Sequence, residues 1–144
     1  MLDIFWIENT AGGSFPTSIE VINEYKRQGI GAILTLTENP LPQKFYIDLN
    51  YLHLPIYNFH TPSMQELICG VNFITSNLKN NIYTFTHCLA GRGRAGTIIA
   101  AYLISIGYSY KEALKTIRKI RKGAVETTEQ EELLYEYYAS LERL

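Results

Sequence analysis

Cys88 and Arg94 bracket five residues, Leu89, Ala90, Gly91, Arg92 and Gly93, with His87 immediately before them. A cysteine and an arginine at the two ends of a short glycine-containing loop can bind an oxyanion and attack it. Gly91 and Gly93 let the backbone adopt conformations that other residues resist. A loop of that kind, leading into a helix N-terminus, turns its N–H groups inward and adds the helix dipole, so negative charge is favoured there. The same field stabilises a thiolate at Cys88, and the thiolate is the nucleophilic form. The Arg94 guanidinium keeps its charge and offers a planar fork that matches two phosphate oxygens.

The elements around the loop suit that role. Ile82–Thr86 is β-branched and aromatic and reads as a strand running straight into it. Thr97–Ile106 is nearly all apolar and reads as a buried helix that Gly107 ends. Further strands are expected at Ile4–Ile7, Ala32–Leu36 and Tyr51–Leu54, with a turn at Gly12 and Gly13 and a loop from Thr37 to Pro42. Capping-box patterns at Thr17–Glu20, Ser63–Glu66, Ser109–Glu112 and Thr128–Glu131 open four more helices, two of them stopped by Gly29 and Gly123. Strands alternating with helices imply an α/β fold: one central, mostly parallel sheet flanked by helices, with the phosphate-binding loop between a strand and a helix N-terminus. The 144 residues make a single domain, 1–144, without repeats or a linker.

The segment His87 to Arg94 resembles the active-site signature of the cysteine-based protein tyrosine phosphatases. The wider chain is similar to their small archaeal-type and atypical dual-specificity members. The likeness extends to Leu36-Thr37-Glu38, Leu54-Pro55-Ile56 and the stretch Gly123 to Thr127 with Glu129-Gln130-Glu131. The resemblance implies a phosphatase without metal or organic cofactor that works in two steps. Cys88 attacks phosphorus to form a phosphocysteine, which water then hydrolyses. Arg94 and the N–H groups from Leu89 to Arg94 hold the equatorial oxygens. His87 orients the loop and tunes the Cys88 thiol, a role compatible with that of a satisfied core histidine.

Two positions depart from the family pattern. Where relatives carry an aspartic acid to protonate the leaving oxygen, this chain has Asn58, and an amide has no titratable proton to give. General acid catalysis is commonly worth about a hundredfold to ten-thousandfold. His60 on the same loop is the first substitute, Glu126 the second, with water placement as its other role, and Asp48 the last. His60 also fits as a plain exposed loop residue. The second departure is Ala95, where relatives carry Ser or Thr to help the thiolate leave; slow hydrolysis of the phosphocysteine is the expectation. Arg92 adds a cation within the loop, either a surface group or a contact for a second phosphate. Cys69 lies mid-helix on no motif and reads as filler.

Composition limits the remaining choices. A hydrophobic fraction of 47%, 19% charged residues and a net charge of -1 describe a folded domain, and that charge argues against a general nucleic-acid binder. Two cysteines do not make a disulfide framework and point to a reducing compartment. With no signal-peptide pattern and no membrane-length apolar run, a cytoplasmic monomer is expected. Lys111–Lys122 holds six basic residues and one acidic, and Glu126–Glu136 five acidic and no basic. These read as balancing solvated faces, or the basic one as facing an anionic partner. The leading expectation for function is a phosphatase for phosphotyrosine in proteins, with phosphoserine and phosphothreonine as further candidates. The alternatives are a phosphate-binding pseudophosphatase and a phosphatase for inositol phosphates, phosphoinositides or RNA ends.

Overall fold

A computed structural model of the chain describes residues 2–142. Five strands form one sheet in the order β1-β2-β5-β3-β4: β1 (Ile4–Ile7), β2 (Thr10–Gly13), β3 (Ile30–Thr35), β4 (Asn50–His53) and β5 (Tyr83–His87). Only the β1–β2 pair is antiparallel, so the sheet is mostly parallel, as expected.

β2 corrects the expected turn at Gly12 and Gly13. The turn falls earlier, at Glu8 and Asn9, whose φ angles of 47° and 63° belong to a two-residue hairpin of the I′ kind. Gly12 and Gly13 continue as strand because β5 pairs with them and because Ile99 packs directly over Gly12. Such pairing is non-local and leaves no mark on the glycines' own neighbourhood.

The helices are α1 (Ile19–Arg27), α2 (Gln43–Tyr46), α3 (Met64–Lys79), α4 (Gly93–Ser105), α5 (Tyr110–Ile120) and α6 (Thr128–Glu142). α1 and α2 cover one sheet face with a core that includes Ile22, Tyr25, Ile33 and Phe85. α3 to α6 build the other core, around Leu34, Leu36, Leu67, Ile98 and Leu134. α4 lies at its centre, which is why this helix is apolar on all sides.

The boxes at Ser63–Glu66 and Ser109–Glu112 form as expected. Two others shift by one residue. Ser18, not Thr17, caps α1 by accepting from Val21 N. Thr127, not Thr128, caps α6, in a reciprocal pair with Gln130. α2 was not expected, and α4 begins four residues before Thr97, within the loop itself. Among the described residues no helix is long and apolar enough to cross a membrane.

The strand registers place Gly13, His87, Thr35 and His53 side by side on four adjacent strands. That row lies at the carboxyl ends of the parallel strands, where open α/β sheets bind their ligands.

Candidate active site

His87 closes β5, and Cys88 is the first residue beyond the sheet. The His87 ring is buried between two partners, Thr35 Oγ1 at 2.8 Å from Nε2 and the Cys88 carbonyl at 3.1 Å from Nδ1. A carbonyl only accepts, so Nδ1 carries the proton and Nε2 accepts from the threonine hydroxyl. Burial pushes the His87 pKa down from 6.5 to about 4, with Arg94 and His53 adding repulsion, so the ring is neutral at physiological pH. His87 is thus both a satisfied core histidine and a brace for the Cys88 backbone.

The loop carbonyls are tied down in turn. Leu89 O accepts from Phe15 N at 3.1 Å, and Ala90 O from Arg121 Nη2 at 2.7 Å. Arg92 O accepts from Gly96 N and Val125 N, and Gly93 O from the Thr97 hydroxyl at 2.6 Å. Together with Cys88 O, each of these carbonyls is engaged by a group outside the loop's hollow. A trans peptide points its N–H opposite to its C=O, so the amides of Leu89, Ala90, Gly91, Gly93 and Arg94 face the other way. The Gly91 N–H reaches the Cys88 Sγ at 3.2 Å. Gly91 has φ +71° and lies against the Gly13 backbone, so a side chain fits there neither conformationally nor sterically. At Gly93 a Cβ would collide with the Glu126 carboxylate, which places Glu126 against the loop.

Arg94 is 2% exposed, and its Nη1 donates to Glu38 Oε1 at 2.9 Å and to Ile56 O at 2.7 Å. Its Nε–H is buried without a protein partner among the described residues. One edge of the guanidinium is therefore anchored, while the Nε edge retains an unused donor suited to an oxyanion. Glu38 stays ionised: its own backbone N–H and then Arg94 hold its carboxyl below the usual carboxylate range.

A cleft of about 450 Å³ opens here between the loop after β3 (Thr37, Glu38, Asn39, Pro40), Phe15, Asn58, Leu89 and Arg94. Asn58 lines it, as its place in the sequence suggests, and its Oδ1 accepts from Phe59 N. His60 is exposed, its ring edge-on to Tyr57 at 5.8 Å, and it is not among the lining residues. Arg92 is exposed and leans over Gly123. Asp48 pairs with Lys26, far from the loop in the fold. Ala95 is fully buried in the first turn of α4. Cys69 is exposed on α3, which rules out a core place and leaves it at the edge. The basic and acidic segments meet where Arg118 bonds Glu131 and the carbonyls of Ala124 and Val125, but Arg121 turns inward to the loop.

Sequence reasoning missed Thr35, Arg121 and Asp3 as site residues and gave Glu38 no role. Only Glu38 carried a signal, through its place in Leu36-Thr37-Glu38. Among the described residues no group of three or more His, Cys, Asp and Glu side chains is arranged to hold a metal ion.

Residues 5–134 match the family described as "PTP-SAK: Swiss Army Knife protein, DSP-PTPase phosphatase domain". The phosphatidylglycerophosphate phosphatase PTPMT2 of Arabidopsis thaliana is 29% identical over 119 residues, 78% of this chain and 52% of that protein. The phosphatidylglycerophosphatase and protein-tyrosine phosphatase 1 of Rattus norvegicus is 35% identical over 81 residues, 56% of this chain and 42% of that protein. The chain therefore spans about half the length of these relatives, or less. The crystal structure of Tk-PTP in the active form superposes with a TM-score of 0.86 at 32% identity, covering 94% of this chain and 95% of that one.

Proposed function

The chain belongs to the DSP-PTPase phosphatase family, and on that premise we propose that it hydrolyses phosphate monoesters through a phosphocysteine at Cys88. The observation that carries this reading is the loop whose outward carbonyls are held from outside and whose Gly91 amide reaches Cys88 Sγ, with the unused edge of Arg94 at its end. In the first step the Cys88 thiolate attacks phosphorus, an S–P bond forms, the ester P–O bond breaks, and the leaving oxygen takes up a proton. In the second step water attacks phosphorus and gives its proton to solvent or the phosphate, the S–P bond breaks, inorganic phosphate is released and the thiolate is regenerated. The amides and Arg94 balance the charge on the equatorial oxygens in both steps. In this reading Glu126, whose carboxylate lies against Gly93, orients the water of the second step.

For the substrate, both relatives described above are named for phosphatidylglycerophosphate hydrolysis, and one of them also for protein-tyrosine phosphatase activity. The cleft has apolar walls at Phe15, Pro40 and Leu89, and Leu89, Tyr57 and Phe59 are exposed. A phosphomonoester on a glycerolipid therefore ranks ahead of phosphotyrosine here, and phosphotyrosine in proteins, the expectation from sequence, becomes the second reading. The pseudophosphatase reading draws on Asn58 in the cleft and Ala95 behind the loop.

Hydrolysis of p-nitrophenyl phosphate, with Cys88→Ser as control, tests the chemistry, because this leaving group hardly needs an acid. Turnover lost in the control supports the proposal; vanadate binding without turnover favours the pseudophosphatase. Phosphate release from phosphatidylglycerophosphate in mixed micelles against a phosphotyrosine peptide then ranks the substrates.

A further inference from the structure

The peptide joining Ala90 to Gly91 presents opposite chemistry on its two sides. Its N–H donates to the Cys88 Sγ at 3.2 Å. Its C=O accepts from Arg121 Nη2 at 2.7 Å. The unit is planar and trans, so whatever holds the carbonyl also aims the amide. A half-turn of this one peptide would set a carbonyl oxygen against the thiolate and remove its donor. Gly91, at φ +71°, offers little resistance to such a turn, because glycine tolerates either sign of φ.

Arg121 in turn is held firmly. Nη1 and Nη2 donate to the two carboxylate oxygens of Asp3, each at 2.6 Å, in a bidentate fork. The guanidinium lies 5.5 Å from the centre of the Phe5 ring. Asp3 stays ionised because the Arg121 hydrogen bonds hold its pKa at about 2. The residue that caps the end of α5 and a residue just before β1 thus close together on the middle of the loop.

The charged and titratable groups around Cys88 are few. Arg94 stands at the far end of the loop with Glu38 on its outer edge, Glu126 lies against Gly93, and the neutral His87 precedes the thiol. Arg92, also in the loop, is exposed and leans over Gly123, and Arg121 lies close enough to the thiol to interact with its charge.

We propose that Arg121, locked by Asp3, is a positioning residue that keeps the Ala90–Gly91 peptide turned so that its amide serves the Cys88 thiolate and the bound oxyanion. Its Nη1 and Nη2 are committed to Asp3 and Ala90, while its Nε–H is buried without a protein partner among the described residues. The inference rests on Cys88 being the nucleophile of the proposed phosphatase.

The test is iodoacetate alkylation of the full chain as a function of pH, resolved by peptide mass spectrometry, together with vanadate binding. Exposed Cys69 serves as the reference thiol. In Arg121→Met, Cys88 alkylation near pH 6 is expected to fall about tenfold, its curve to move to higher pH, and vanadate affinity to drop about tenfold, with Cys69 unchanged. Arg121→Lys keeps the charge without the fork and is expected to recover only part of each loss. Asp3→Asn keeps Arg121 and weakens its anchor, with losses of about threefold. It decides the matter if Arg121→Met does not fold by thermal melt. Unchanged Cys88 alkylation and vanadate affinity in a folded Arg121→Met, or in Asp3→Asn where that variant has to stand in, would overturn the proposal. Full recovery in Arg121→Lys would overturn it too, because charge alone would then suffice. A wild-type Cys88 no more reactive than Cys69 and blind to vanadate defeats the phosphatase reading itself, and this inference with it.

Discussion

Arg94 Nη1 and Glu38 Oε1 meet at 2.9 Å across 56 residues of chain. The pair joins a guanidinium that is 2% exposed to a carboxylate that is 42% exposed. It anchors one edge of Arg94 while the Nε edge stays available. Glu38→Gln keeps the shape and removes the charge, and Ile56 O still accepts from Nη1. KM for p-nitrophenyl phosphate should rise about two- to fivefold with kcat changed less, the range of a half-exposed ion pair. An equal fall in kcat would instead place Glu38 in the transition state.

Asn58 stands on the cleft wall without a proton to give. Asn58→Asp should raise kcat on phenyl phosphate, a poor leaving group, by about tenfold or more, and hardly change p-nitrophenyl phosphate. His60→Ala, measured on the same poor substrate, should leave the pH profile unchanged, because the His60 ring lies outside the cleft lining. A lost limb of that profile would identify His60 as the acid.

Ala95 offers no hydroxyl to the departing thiolate, and the Gly91 N–H donates to Cys88 Sγ. Phosphocysteine should therefore accumulate on rapid quench, visible by mass spectrometry. Ala95→Ser should shorten its lifetime about tenfold, the worth of one hydrogen bond to a charged group. An adduct absent from the wild type would show that the second step is already fast.

His87 is neutral in the fold with a pKa of about 4, against 6.5 for the free side chain. Between those values the unfolded chain binds a proton that the native state does not. Stability is therefore greatest above about pH 6.5 and falls as pH drops toward 4, by about 3 kcal/mol in all. Urea unfolding across that range should show the slope, and His87→Asn should flatten it while lowering stability at neutral pH. A wild-type curve that is flat between those pH values would place the proton on His87 in the native state.

The candidate site was legible because its residues are contiguous. Cys88 to Arg94 lie within one loop, and their types and spacing already specify an anion nest with a nucleophile at one end and a fork at the other. β3, β5, α3 and α5 were legible for the same reason: β-branched runs and the Ser63 and Ser109 boxes act within four residues. β2 was not legible, because its glycines become strand only when β5 pairs with them.

Residue order was enough to give the α/β layering, to nominate Cys88 as nucleophile and Arg94 as phosphate fork, and to mark the two departures at Asn58 and Ala95. The direction in which the loop faces was decided in three dimensions. Its carbonyls are held by Phe15, Thr97, Arg121 and Val125, and Arg121 is held by Asp3, 118 residues away. A peptide's orientation depends on which donors surround it, and chain folding alone brings such distant donors together.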